Sequence, residues 1–505
     1  MSEEFLLEVE TGKKVSYNTK YGAEIYRRSL TLLLQCAISE LYPDMRIQIG
    51  QSLMKGYFFE VTSEKLPANF IRKVESKMRQ IVEQDVRFIK ITVDKKRAID
   101  LYKEKKREDK VGAISFLQKD KIELIYIHNF FDFVLAECVA STKNLRTFRL
   151  IKYSNGFVLQ FPVRGDIMRL PENADRQEKL FEVHKESREW ERILGVRHVG
   201  DLNTAIQNGM ISTLIKVQEA FHEKKIALIA DEIKRNFHLK KLIFIAGPSS
   251  SGKTTFLKRL GIQIRANGLL PEEISLDNYF VPRSETPRTP DGDCDYECLE
   301  ALDIKFFSEQ ISILLGGKEI MLPKYNYKTG KREKSSKILK LKQNSVILIE
   351  GIHGLNPELS SNVKDKNKYK VFVSALSQLC IDNDTRIFTS DSRLMRRIIR
   401  DRLFRGYSPV DVIKRFPKVR QGEDKYIFPF QDNADIFFNS SLIYEQAVLK
   451  LFIETHLKHV RKESDEYYEA RRVLSYLDFF LPLSDKEVPQ TSILREFIGE
   501  SGFNY

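Results

Sequence analysis

The chain is short of cysteine and has no long apolar run. Its 505 residues include five cysteines, Cys36, Cys138, Cys294, Cys298 and Cys380. An odd, scattered set of that size excludes a disulfide framework and suits a reducing compartment. Cys294 and Cys298 are near neighbours, but no second pair at ligand spacing accompanies them, so no zinc-type site is expected. No stretch approaches the ~18 apolar residues of a membrane span. The opening MSEEFLLEVETGKK carries acids where a signal peptide carries bases and lacks its apolar region. A cytoplasmic protein with no membrane association is predicted. Internal repeats and low-complexity segments are missing as well. With 42% hydrophobic and 30% charged residues, the composition is that of a globular protein, and the length implies two or three domains.

Acids are too few to balance the bases, leaving a net charge of +13. Residues 323–342 carry eight Lys/Arg against one acid, and residues 386–425 carry twelve against five. Each stretch contributes +7, so the rest of the chain sums to −1. The excess is therefore local, in segments that face either a bound polyanion or solvent. The N-terminal region has no basic cluster with interleaved aromatics, so an RNA partner is not favoured.

Residues 241–255 read KLIFIAGPSSSGKTT. Leu242 to Ala246 form the uninterrupted apolar run of a buried parallel strand. Gly247, Gly252, Lys253 and Thr254 then fill the GxxxxGK(S/T) spacing, and a helix is predicted from Thr255. Such a loop, Gly247, Pro248, Ser249, Ser250, Ser251, Gly252, Lys253, Thr254 and Thr255, curls backbone N–H groups around a phosphate at a helix N-terminus. Lys253 is placed to reach the β and γ phosphates, and the Thr254 hydroxyl to hold Mg²⁺. Binding of a nucleoside triphosphate, ATP with Mg²⁺, is expected.

Residues 1–175 alternate strand-like runs (YFFEVTS, FIKITV, IELIYI, GFVLQF) with helical ones (SLTLLLQCAISELY, PANFIRKVESKMRQIVEQ), an α+β pattern. The polar stretch PENADRQE is the linker candidate, and residues 176–238 read as a helical linker. From residue 239 to 505, LIFIA, EISLD, VILIEG, YKVFVS and ADIFFN alternate with helices, the signature of an α/β domain with a parallel sheet and flanking helices.

Transfer of a phosphoryl group to an alcohol also needs a carboxylate at the acceptor, a metal-binding carboxylate and cations over the moving group. Asp277, where EISLD ends, and Glu350, at the end of NSVILIE, occupy the strand ends at which open parallel sheets present ligand-binding groups. SDSRLMRRIIRDRLFRG adds Arg393, Arg396, Arg397, Arg400, Arg402 and Arg405. At helical spacing Arg393, Arg396, Arg397 and Arg400 share a face, which is self-repelling without an opposing anion.

GPSSSGKTT, LDNYF, YECLEALD, PKYNY, LIEGI and SRLMRRIIRD occur in the order and rough spacing of the uridine kinase and phosphoribulokinase family, which residues 240–440 resemble. The resemblance implies an Mg-ATP-dependent kinase of a small-molecule hydroxyl, most naturally a nucleoside of the uridine or cytidine kind. It makes Asp277 the base and metal-linked carboxylate, Glu350 its metal-side partner and Arg393 an acceptor contact. Arg396, Arg400 and Arg405 would belong to a lid over ATP, with Arg396 catalytic. Tyr279, Tyr296, Glu297, Tyr325 and Tyr327 would form the acceptor pocket. The chain departs from the family at two places. Gly330 stands where those kinases place a base-reading histidine, and Glu297 where they place an aspartate. His353 is the nearby candidate to substitute for the histidine. A further stretch, ALSQLCIDNDTRIF, separates the strand YKVFVS from the lid.

The N-terminal region, about residues 20–160, resembles the editing-type region of threonyl-tRNA synthetases through SLTLLLQCAISELYP, IQIGQSLMKGYFFEV and FDFVLAECVASTKNL. The metal-site positions of those domains fall on Arg28, Leu32, Val134 and Cys138, so editing or metal hydrolysis is not expected here. Joined in this way, the two halves resemble a bacterial nucleoside kinase group, as does the ending VPQTSILREFIGESGF. Other polyhydroxylated acceptors, a sugar phosphate or sugar alcohol, and an RNA-associated regulatory NTPase are the alternatives. The oligomeric state stays open.

Overall fold

The computed structural model describes residues 6–62, 65–133, 135–172, 176–289, 291–377 and 379–505. The chain divides into two units. One comprises the described residues of Met1–Gly209, Gln378–Ile387 and Arg471–Leu481, the other those of Met210–Ser377, Phe388–Ala470 and Pro482–Tyr505.

The larger unit is built on a five-stranded parallel sheet ordered Leu270–Ser275, Ser345–Glu350, Leu242–Ala246, Lys368–Ser374, Ile436–Asn439. These are the five apolar runs that the sequence marks as strands. Both faces are covered, so residues 242–246 and 346–349 are apolar throughout rather than alternating, while the edge strand Leu270–Ser275 carries Glu272 and Glu273. Ile243 and Ile245 pack with Ile226, Ile229 and Ile233 of the helix Ile211–Asn236 and with Phe256 and Leu260 of the helix Lys253–Ala266. On the opposite face Leu242, Phe244, Ile347 and Ile349 meet Tyr279, Phe307, Ile311 and Leu314. The basic stretch from residue 323 is mainly an antiparallel hairpin, Ile320–Asn326 with Lys331–Leu339. Its turn ends at Gly330 in the left-handed region, φ +66°.

The N-terminal unit holds a four-stranded antiparallel sheet ordered Ile47–Leu53, Gly56–Val61, Gly156–Gln160, Arg149–Tyr153 and a three-stranded one, Ile89–Asp94, Lys121–Ile127, Phe130–Phe133. The helices Lys20–Leu41 and Phe70–Glu83 go with them. Phe70, Val74, Met78 and Ile81 are the buried stripe of the second helix, spaced as one helical face requires. Arg28 donates to the Glu137 carbonyl, and Cys138 is fully buried, its thiol pushed up to about 12 chiefly by burial. Val134 lies outside the described residues. Among the described residues no helix is long and apolar enough to cross a membrane.

Residues 379–387 of the extra stretch after YKVFVS belong to the N-terminal unit. Its Asp382 and Asp384 take Lys110 Nζ at 2.8 and 3.0 Å, and Asp132 takes it at 2.7 Å. Arg107 binds Asp109 and Asp384 at 2.7 and 2.6 Å. Lys110 is wholly buried, and each of these carboxylates answers at least one of the two cations, Asp384 both, as buried charge demands.

Candidate active site

The strand Leu242–Ala246 delivers a loop whose curl is set by backbone geometry. Gly247 is at φ +156°, where a Cβ would lie 2.0 Å from the Val373 carbonyl. Ser250 and Gly252 adopt left-handed φ values of 59° and 84°. The helix Lys253–Ala266 starts immediately after, so Lys253, Thr254 and Thr255 occupy its first turn and their N–H groups lack intrahelical acceptors. Lys253 is buried, with Nζ 3.2 Å from the Pro248 carbonyl and 3.9 Å from Glu350 Oε1. The enclosed Ser250 and Ser251 hydroxyls have no hydrogen-bond partner.

Parallel register sets Glu350 between Ile245 and Ser275. Asp277 follows in the short 3-10 turn Leu276–Tyr279. Two carboxylates and the loop lysine thus meet at the carboxyl edge of the sheet. Glu350 is pushed up to about 7, first by burial and then by the Asp277 charge, against the pull of Lys253. Thr254, Asp277 and Glu350 supply only oxygen donors, a set that suits a hard divalent cation such as Mg²⁺. A buried carboxyl held this high gains from a neighbouring cation, so the residues fit the ion.

The hairpin brings the aromatic residues over Asp277. The Tyr327 hydroxyl donates to Asp277 Oδ2 at 3.1 Å from a side chain that is 56% exposed. Tyr325 meets Tyr327 edge-on at 5.2 Å, and Phe280 meets Tyr296 at 5.3 Å. Glu297 Oε2 is enclosed without a partner. Burial, then the Glu423 and Asp277 charges, pushes its carboxyl up to about 7. Tyr279 points away into the core, 1% exposed, its hydroxyl donating to Gln310 at 2.7 Å.

A Cβ on Gly330 would lie 2.7 Å from Cβ and 2.8 Å from Nε of Arg283. The space a side chain at residue 330 would take is filled by that guanidinium, which also donates to Tyr296 Oη at 3.3 Å and to the Tyr327 carbonyl. His353 is sealed at 1% exposure, its pKa pushed down to about 4 by burial.

The arginine helix, Thr389–Arg405, is neutralised mostly by the protein's own carboxylates. Arg393 is fully buried on Glu423, with Nε donating to the Ser249 carbonyl at 2.9 Å. Glu423 also accepts the Ser249 N–H at 3.1 Å, so this pair braces the first half of the loop. Arg396 is fully buried on Glu445 and the Ser440 carbonyl, with its guanidinium over Phe497. Arg400 and Arg405 pair with Asp401 at 2.9 and 3.4 Å. Arg397 also pairs with Asp401, at 3.3 Å, and reaches the loop, donating to Ser249 Oγ at 2.8 Å. Arg397 stood on the arginine face without a role, while Arg283 and Glu423 carried no sequence signal beyond lying near a motif.

A glycine-rich loop joining a parallel strand to a helix, with carboxylates at the neighbouring strand ends, defines this unit as a P-loop kinase-type α/β domain. Residues 242–443 match the model of the Phosphoribulokinase / Uridine kinase family. The stretch similar to that family thus follows an N-terminal region similar to threonine–tRNA ligases. A uridine kinase of Deinococcus deserti is 27% identical over 208 residues, 41% of this chain and 91% of that protein. A threonine–tRNA ligase of Desulforamulus reducens is 25% identical over 189 residues, 36% of this chain and 30% of the ligase. The chain therefore spans under a third of that ligase. A solved structure described as a possible uridine kinase from Bacillus stearothermophilus is 18% identical, covering 42% of this chain and 97% of that one at a TM-score of 0.29.

Proposed function

We propose that the protein transfers the γ-phosphoryl group of Mg-ATP to a hydroxyl of a small molecule, with a nucleoside as the first acceptor class. The observation that carries this reading is the meeting of Lys253, Glu350 and Asp277 at one sheet edge behind the phosphate loop. In the proposed step the acceptor oxygen bonds to the γ-phosphorus, the bond from that phosphorus to the β–γ bridging oxygen breaks, and ADP leaves. Asp277 takes the acceptor's proton, and Tyr327 holds that carboxylate in place. Lys253 lies against negative charge on the β and γ phosphates, and Arg397 borders the loop at Ser249. Mg²⁺, when bound, would neutralise charge on the same phosphates, with Thr254, Asp277 and Glu350 as its holders.

Tyr296 and Tyr327 offer ring faces for a base or sugar, while Tyr325, 4% exposed, is packed behind them in the core. The partnerless Glu297 Oε2 suits a hydroxyl. Arg283, seated where a base-reading side chain would stand, favours a second reading in which the acceptor carries an anionic group, as a sugar phosphate does. A panel of nucleosides, polyols and sugar phosphates incubated with Mg-ATP and followed by mass spectrometry tests both. A phosphorylated nucleoside supports the first reading. Product from sugar phosphates alone, lost in Arg283→Ala, supports the second. ATP-dependent product from none of them overturns the kinase reading.

A further inference from the structure

We propose that Glu496 is a carboxylate plug on the nucleotide cradle, which a bound nucleotide must displace. This rests on the kinase reading of the same loop. Glu496 Oε2 accepts the Thr255 backbone N–H at 3.1 Å and the Thr255 hydroxyl at 2.7 Å. Thr255 is the third residue of the helix that follows the loop, so its N–H is one of the free donors that a helix N-terminus offers to phosphate. A carboxylate on those two donors takes the place of a phosphate oxygen. Its charge is also one that a nucleotide's phosphates would repel. Glu496 lies close enough to Glu350 that its charge contributes to holding that carboxyl up.

The rest of the segment fixes Glu496 there. Ile493, Leu494 and Phe497 are fully buried, and Ile493 fills the space beside Gly252, where a Cβ would lie 2.4 Å from it. Arg495, itself buried, is bound to Asp485 and to the Val488 carbonyl at 2.9 Å each. Tyr505 closes the arrangement, its hydroxyl 2.9 Å from both Thr255 Oγ1 and Ser501 Oγ. Glu496 itself is only half-buried. A rotamer change of this one side chain therefore frees both donors without dislodging the apolar anchor. The plug sets a threshold for nucleotide binding while the segment stays docked.

The test is calorimetric titration of the full chain with Mg-ATP and with AMP, comparing wild type, Glu496→Gln and Lys253→Ala. Glutamine keeps shape and packing and removes the charge. It is expected to tighten binding of both nucleotides about tenfold, the scale of a charge-assisted hydrogen bond. If Glu496→Gln melts like wild type but binds nucleotide equally or more weakly, Glu496 is a brace and the proposal fails, while ATP binding lost in Lys253→Ala would still support the kinase reading. If neither wild type nor Glu496→Gln binds nucleotide, both fail together.

Discussion

Asp277 sits two residues beyond a strand end, with its carboxylate 3.1 Å from the Tyr327 hydroxyl. Asp277→Asn keeps the shape and can still accept that hydrogen bond, but cannot take a proton. Turnover is expected to fall roughly a hundredfold or more with melting nearly unchanged. Stopped-flow product formation alongside calorimetric melting checks this, and a variant that turns over at near wild-type rate removes Asp277 as the base. Glu297 carries a pH signature. Its folded-state value of about 7 lies above the ordinary 4.5, so the fold favours the neutral acid. The stability it contributes is complete below about pH 4.5 and is lost as pH rises through about 7. Glu297→Gln should therefore flatten the fall in Tm between about pH 5 and pH 8. The placement of Lys253, Asp277 and Glu350 at one sheet edge was legible in the sequence because loop spacing and strand ends are local signals. The use of the arginine face was not. Glu423 and Glu445, which neutralise Arg393 and Arg396, lie 30 and 49 residues further along the chain.

At the scale of elements, the segment after YKVFVS shows how far a local pattern reaches. All five strands of the parallel sheet were visible as apolar runs. The hairpin from Ile320 to Leu339 was not, because its lysines mask alternation and its turn depends on a single left-handed glycine. The extra stretch could be seen as extra, but its destination depends on Lys110 and Arg107, which lie 272 and 277 residues from Asp382 and Asp384. Lys110→Met leaves Asp132, Asp382 and Asp384 buried around an apolar side chain. Breaking a buried charge set in this way typically costs about 3–5 kcal/mol. Urea unfolding of the N-terminal unit should register that loss. A variant as stable as wild type would mean that water or protonation already compensates the cluster.

Over the whole molecule, the two units are interleaved along the chain, since each is made of three separate segments. The excursion at 378–387 ends one residue before Phe388, which caps the arginine helix. Cutting the chain at residue 209 therefore cannot cleanly release the second unit. It strands Ile381, Ile387, Val473, Leu474 and Phe479, all buried in the intact protein, without the frame that covers them. A 210–505 fragment is expected to be poorly soluble, because that much orphaned apolar surface promotes association. Every residue assigned to the nucleotide cradle and to phosphoryl transfer nevertheless lies in the second unit. The same fragment with residues 378–387 replaced by a short glycine-serine linker and with Val473, Leu474 and Phe479 made polar is expected to stay soluble. It should bind Mg-ATP within a few-fold of the full chain, at a lower Tm. Titration calorimetry on the two proteins side by side measures this. A folded, soluble fragment that fails to bind nucleotide, beside a full chain that binds it, would show that the second unit does not form the cradle by itself.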